Sequence, residues 1–164
     1  MQYTLELEID LPLSIVTGLF DNPENLKLWM EGLVGFEHLS GTPGESGAKS
    51  KLTFKMGNRN IEMIETITVR NLPEEFTGTY EANCVYNVVR NKFEALPGNR
   101  TRYIVENFFE VKGFMKAVAF FMPGAFKKQS LKYMEDFKYF AENYSTDLNN
   151  SIKNINTVQP NGTH

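Results

Sequence analysis

The longest pattern in the chain is helical. Across residues 113–144, at about 100 degrees per residue, Met115, Ala119, Met122, Phe126, Tyr133, Phe137, Phe140 and Tyr144 fall on one stripe, while Lys127, Lys128, Lys132, Glu135, Lys138 and Glu142 lie mostly off it. The pattern predicts one long amphipathic helix. Pro123 removes a backbone donor inside it and, with Gly124, either kinks the helix near its first third or begins a second segment after a short break. A lone helix in water gains nothing from an apolar stripe. A broad apolar surface elsewhere in the chain must therefore cover it.

Strand patterning supplies that surface. Tyr3, Leu5, Leu7 and Ile9 alternate with Thr4, Glu6, Glu8 and Asp10, the period of a strand with one buried face. Asp10 or Ser14 is placed to cap, and Pro12 to open, a short helix through Ile15, Val16, Leu19 and Phe20. Asp21-Asn-Pro23 ends it and starts a second one carrying Leu26, Trp29 and Met30, closed off by Gly32 and Gly35. Period two then returns in six further stretches, at 36–40, 48–56, 61–70, 76–82, 85–96 and 101–111, separated by turn residues such as Gly57-Asn-Arg-Asn60 and Pro97-Gly-Asn99. Seven strands joined mostly by short turns, two short helices after the first strand and a terminal helix make an α+β layer architecture: a curved antiparallel sheet wrapped around the helix.

At 164 residues the chain suits one domain with a sizeable core. The net charge of −3, with no strongly basic face standing out in the sequence, argues against nucleic acid as the main partner. Thirteen Phe, 7 Tyr and 7 Met point to a soft, aromatic-rich interior. The single cysteine, Cys84, can form no internal disulfide, and no signal-like leader or long apolar run is present, so a cytoplasmic protein without integral membrane association is expected. Residues 145–164 are Asn-rich and aperiodic and are expected to form a disordered polar tail behind a domain of residues 1–144.

The element order, the segment Asp21-Asn-Pro-Glu-Asn-Leu-Lys-Leu-Trp29, the phrase Arg70-Asn-Leu-Pro-Glu-Glu-Phe76 and the closing Pro123-Gly-Ala-Phe-Lys-Lys128 with Leu131, Met134 and Phe137 resemble the START-related, SRPBCC or polyketide cyclase/dehydrase-like superfamily. The resemblance covers roughly residues 1–144. It implies the helix-grip fold, with an apolar pocket between the sheet and the long helix. That superfamily includes lipid carriers, hormone receptors, aromatase/cyclases and chaperone activators, and no catalytic motif carries over residue by residue.

Three functions are therefore open: binding or transport of a small apolar molecule such as a lipid, polyketide or aromatic metabolite; a cyclase, dehydratase or isomerase; and a chaperone-activator-like interaction module. No cofactor is expected, and the sequence leaves the oligomeric state open. Glu65 is the candidate acid or base, because it shares strand parity with Ile61, Met63, Ile67 and Val69. A bulge in that strand would instead turn it to water. An open pocket with Glu65 inside would favour the enzyme, one without an inward carboxylate the carrier, and a pocket filled by Phe side chains the interaction module.

The remaining ligand-binding candidates follow from the same parities. Phe54, Met63 and Phe126 would supply apolar wall, Tyr80 and Tyr133 hydroxyls, and Asn91 and Asn107 amides, with Asn87 in phase with Asn91. For the polar groups, ordinary core packing is the competing reading. Trp29 and Met30 would close one mouth, with Phe120, Phe121 and Met122 opposite. His38 and His164 are the only histidines, so neither a metal set nor a Ser-His or Cys-His pair is supported.

Overall fold

The computed structural model describes residues 1–122 and 124–157. Seven strands, β1 Gln2–Ile9, β2 Leu33–Ser40, β3 Lys49–Met56, β4 Arg59–Asn71, β5 Glu75–Ala82, β6 Val85–Leu96 and β7 Arg100–Val111, form one antiparallel sheet in the order β1-β7-β6-β5-β4-β3-β2. Strands β2 to β7 pair as successive hairpins, and β1 then adds to the free edge of β7. Since β1 and β2 lie on opposite edges, the connection between them must cross the whole sheet. It does so through α1 (Leu13–Asp21), a 3-10 turn over Pro23–Asn25 and the single-turn α2 (Leu26–Trp29). Pro12 stands at the N-cap of α1 with no side-chain cap, so neither Asp10 nor Ser14 plays the capping part expected of them. The second expected helix is mostly tight turn, because Asn22 caps Pro23–Asn25 through its side chain and Pro23 fixes the first φ.

The C-terminal helix is two helices. Segment α3 covers Met115–Phe121 and α4 covers Gly124–Thr157, with Met122 at the end of α3 in a non-helical conformation. Pro123 itself lies outside the described residues. The break splits the predicted stripe. In α4, Met134, Phe137 and Ala141 are buried, whereas α3 buries no residue fully. Helix α4 also runs on to Thr157, so residues 145–157 of the expected tail are helical, and 158–164 lie outside the described residues.

Two arrangements hold α4 on the sheet. Phe137, with no exposed surface, meets the rings of Phe20, Trp29 and Tyr103 at centroid distances of 5.5, 5.1 and 5.8 Å, and Phe20 in turn contacts Phe93 at 5.0 Å. Edge contacts of this kind favour aromatic pairs beyond the area they bury. Along the β1 edge, Tyr3 and Ser130 share a hydroxyl hydrogen bond of 2.9 Å, Lys138 Nζ donates to the Glu8 carbonyl at 2.7 Å, and the Asp10 amide donates to Glu142 Oε1 at 2.9 Å. The aromatic cluster packs the α1–α2 end of the grip. The other end is not filled.

Candidate functional site

Alternation along the strands sends every second side chain toward α4. Between that concave face and the first turns of α4 lies a cavity of about 760 Å³, within the roughly 300–1,000 Å³ usual for small-molecule sites. Its wall takes Leu52 and Phe54 from β3, Met63, Glu65 and Ile67 from β4, Tyr80 from β5, Asn87, Val89 and Asn91 from β6, and Tyr103, Val105 and Asn107 from β7. Helix α4 closes it with Phe126, Gln129, Ser130 and Tyr133, spaced as one helical face, and Trp29 closes the α2 end.

Glu65 faces this space and is 8% exposed. A register shift does occur in β4, but between Ile67 and Val69, after Glu65 has been placed. It leaves Val69 36% exposed and Ile67 buried. Glu65 lies directly opposite Tyr80 on β5 and Ser50 on β3, so all three share a face. The Tyr80 hydroxyl donates to Glu65 Oε1 at 2.8 Å. Gly78, two residues earlier on the same face, makes room for that phenol: a Cβ there would stand 3.3 Å from the Tyr80 oxygen. Burial raises the Glu65 carboxyl above its usual value, and the Tyr80 bond offsets this in part. Tyr80 is pushed well above the ordinary phenol value, first by burial and then by the neighbouring carboxylate. Burial thus shifts both groups of the pair toward their protonated forms, Tyr80 the more strongly.

The amides divide into two kinds. Asn91 is 5% exposed and internally engaged: its Oδ1 accepts from the Tyr103 hydroxyl at 2.7 Å and its Nδ2 donates to the Phe76 carbonyl at 3.2 Å. It supports the wall. Asn107 is 2% exposed, and its Nδ2 has no partner among the described residues. Trp29 Nε1 and Asn87 Oδ1 are likewise buried without a partner among them. A buried polar group left unpaired costs about 1–3 kcal/mol, and the three residues that carry these atoms all belong to the cavity wall. The basic residues on the lining, Lys55 and His38, are both exposed.

The structure thus brings Trp29, Phe54, Met63, Glu65, Tyr80, Asn91, Asn107, Phe126 and Tyr133 to one cavity. It does not bring Met122, which is 59% exposed and off the wall, nor Phe120 and Phe121, each 79% exposed. The helix break turns them outward, and Met115 is the α3 residue on the lining. Sequence reasoning missed Gln129, Ser130 and Tyr103. The first two stand three and four residues after Phe126, and Tyr103 shares the parity of Val105 and Asn107.

No protein-family model matches the chain, and no match was found among curated proteins. Solved structures do match. A protein of Thermus thermophilus superimposes with a TM-score of 0.72 at 13% identity, covering 88% of this chain and 99% of the other. An aromatase/cyclase from a Streptomyces species gives 0.68 at 10% identity, covering 87% and 93%. Norcoclaurine synthase from Thalictrum flavum gives 0.67 at 13%, covering 84% and 91%. What these proteins share with the present chain is the curved antiparallel sheet gripping a long C-terminal helix, and the chain accordingly has the helix-grip fold.

Proposed function

We propose that this protein binds one small, neutral, predominantly apolar molecule in the cavity between the sheet and α4. The observation that carries the reading is the cavity itself: about 760 Å³ of space that Phe side chains leave unfilled, which the interaction-module reading would need closed. Neutrality follows from the wall. The interior holds a carboxyl that burial raises above its usual value and buried N–H donors, with no cation deep inside among the described residues, so a carboxylate ligand would lose its hydration without gaining a counter-charge. A carbonyl or ether oxygen, in contrast, pairs with Asn107 Nδ2 or Trp29 Nε1 at no charge cost. A lipid ester, a polyketide or an aromatic ketone fits these terms. Native mass spectrometry of protein purified from its own host should show a co-purifying neutral molecule, and Nile red should bind one per chain and be excluded by Met63→Trp. Absence of both would overturn the reading.

One observation favours a second reading, that of an enzyme. Glu65 is inside an open cavity and paired with Tyr80, the arrangement of an acid that can hand a proton to a bound carbonyl and take one back from carbon. Glu65→Gln separates the two: a carrier keeps both its ligand and its behaviour, whereas an isomerase or dehydratase keeps binding and loses turnover.

A further inference from the structure

Helix α3 carries a surface that the cavity does not use. Phe114, Phe120, Phe121 and Met122 are 72, 79, 79 and 59% exposed. Phe120 and Phe121 touch edge to face at 5.2 Å, and Phe114 stands two helical turns before Phe121 on the same face. Four large apolar side chains so exposed on one short helix and its two caps call for a partner. The charge around them says which. From Lys112 to Met134 the chain has no acidic residue, although the whole protein carries −3. Lys132 in that stretch is bound to Glu31 and Asp136, each at 2.6 Å. Lys112, Lys116, Lys127 and Lys128 are exposed and make no ion pair among the described residues.

We infer that α3 docks on an anionic phospholipid surface, the aromatic rings entering the headgroup boundary and the four lysines meeting lipid phosphates. Exposed Phe side chains beside Lys are the chemistry of interfacial helices, and each lysine near an anionic leaflet strengthens partitioning roughly fivefold. The contact is peripheral, since no helix among the described residues is long and apolar enough to cross a membrane. Met115 lies on the cavity wall and Phe114 beside it on the exposed face, so the same helix joins the docking face to the cavity.

Co-sedimentation of the full chain with vesicles of phosphatidylcholine, with and without phosphatidylserine, tests this without any knowledge of the cavity ligand. Binding is expected to the serine-containing vesicles, to weaken with added salt, and to fall by at least about tenfold in Lys127→Glu/Lys128→Glu. Phe120→Ser/Phe121→Ser should abolish it while Nile red binding stays unchanged, which keeps loss of fold separate from loss of docking. Protein left in the supernatant with both vesicle types overturns the inference. So does a concentration-dependent dimer that the Phe pair alone controls, because the face would then belong to a second copy of the chain.

Discussion

Asn107→Leu should move stability and affinity in opposite directions. Asn107 sits mid-strand in β7, 2% exposed, opposite Val89 on β6 and Tyr3 on β1, and its Nδ2 has no partner among the described residues. Leucine has nearly the same volume and shape, so it opens little cavity. It removes a buried donor whose unpaired state costs about 1–3 kcal/mol. The ligand-free protein should gain about 1–2 kcal/mol, which for a chain of this size is a rise in Tm of about 2–8 °C. The ligand oxygen that pairs with this amide would lose its donor, weakening binding by about 0.5–1.5 kcal/mol, or roughly 2- to 12-fold in Kd. Differential scanning fluorimetry of ligand-stripped protein gives the first quantity and fluorescence titration the second. A variant that melts more than a few degrees lower, or that binds as well as the parent, would refute the assignment, since it would mean that Asn107 serves the sheet and not the cavity.

Glu65→Gln bears on the pH dependence. With its carboxyl raised by burial, the folded protein holds the proton more tightly than the unfolded chain does. Stability is therefore full below the ordinary value of 4.5 and declines as pH rises through the folded value. Glutamine accepts the same Tyr80 bond but cannot ionise, so its stability relative to the parent should improve from about pH 4 to about pH 8 in urea unfolding. Parallel curves would refute the raised carboxyl. Phe137→Ala removes a ring with no exposed surface from contact with Phe20, Trp29 and Tyr103. It should cost roughly 3–5 kcal/mol, a Tm loss of about 6–20 °C by calorimetry, and a loss under about 1 kcal/mol would show that α4 is not held there.

The two fragments of helical stripe show where pattern is a sound guide and where it stops. Phe126, Tyr133, Phe137 and Phe140 meet the sheet side because an unbroken α4 preserves their phase. Met122 lies on the same projected stripe, yet the interruption between Phe121 and Gly124 resets the helix direction, and its side chain ends in solvent. The run past Tyr144 failed in the other direction. An Asn-rich composition suggested disorder, but α4 continues to Thr157, since a formed helix extends at little cost once its nucleus is held by packing upstream.

The primary structure determined the order of elements, the inward parity of β3 to β7 and the match of that order to a sheet gripping a helix, because periods of 2 and 3.6 are local and survive in one dimension. It also put Glu65 in phase with Met63 and Ile67, which the bulge beyond Ile67 left intact. Folding in three dimensions decided the rest: which amides are spent on neighbours, as Asn91 is on Tyr103 and Phe76, and which stay unpaired, as Asn107 does. It decided as well that about 760 Å³ remains between sheet and helix. A cavity is the difference between the volume a curved sheet encloses and the volume its side chains fill, and each depends on contacts between residues far apart in the chain.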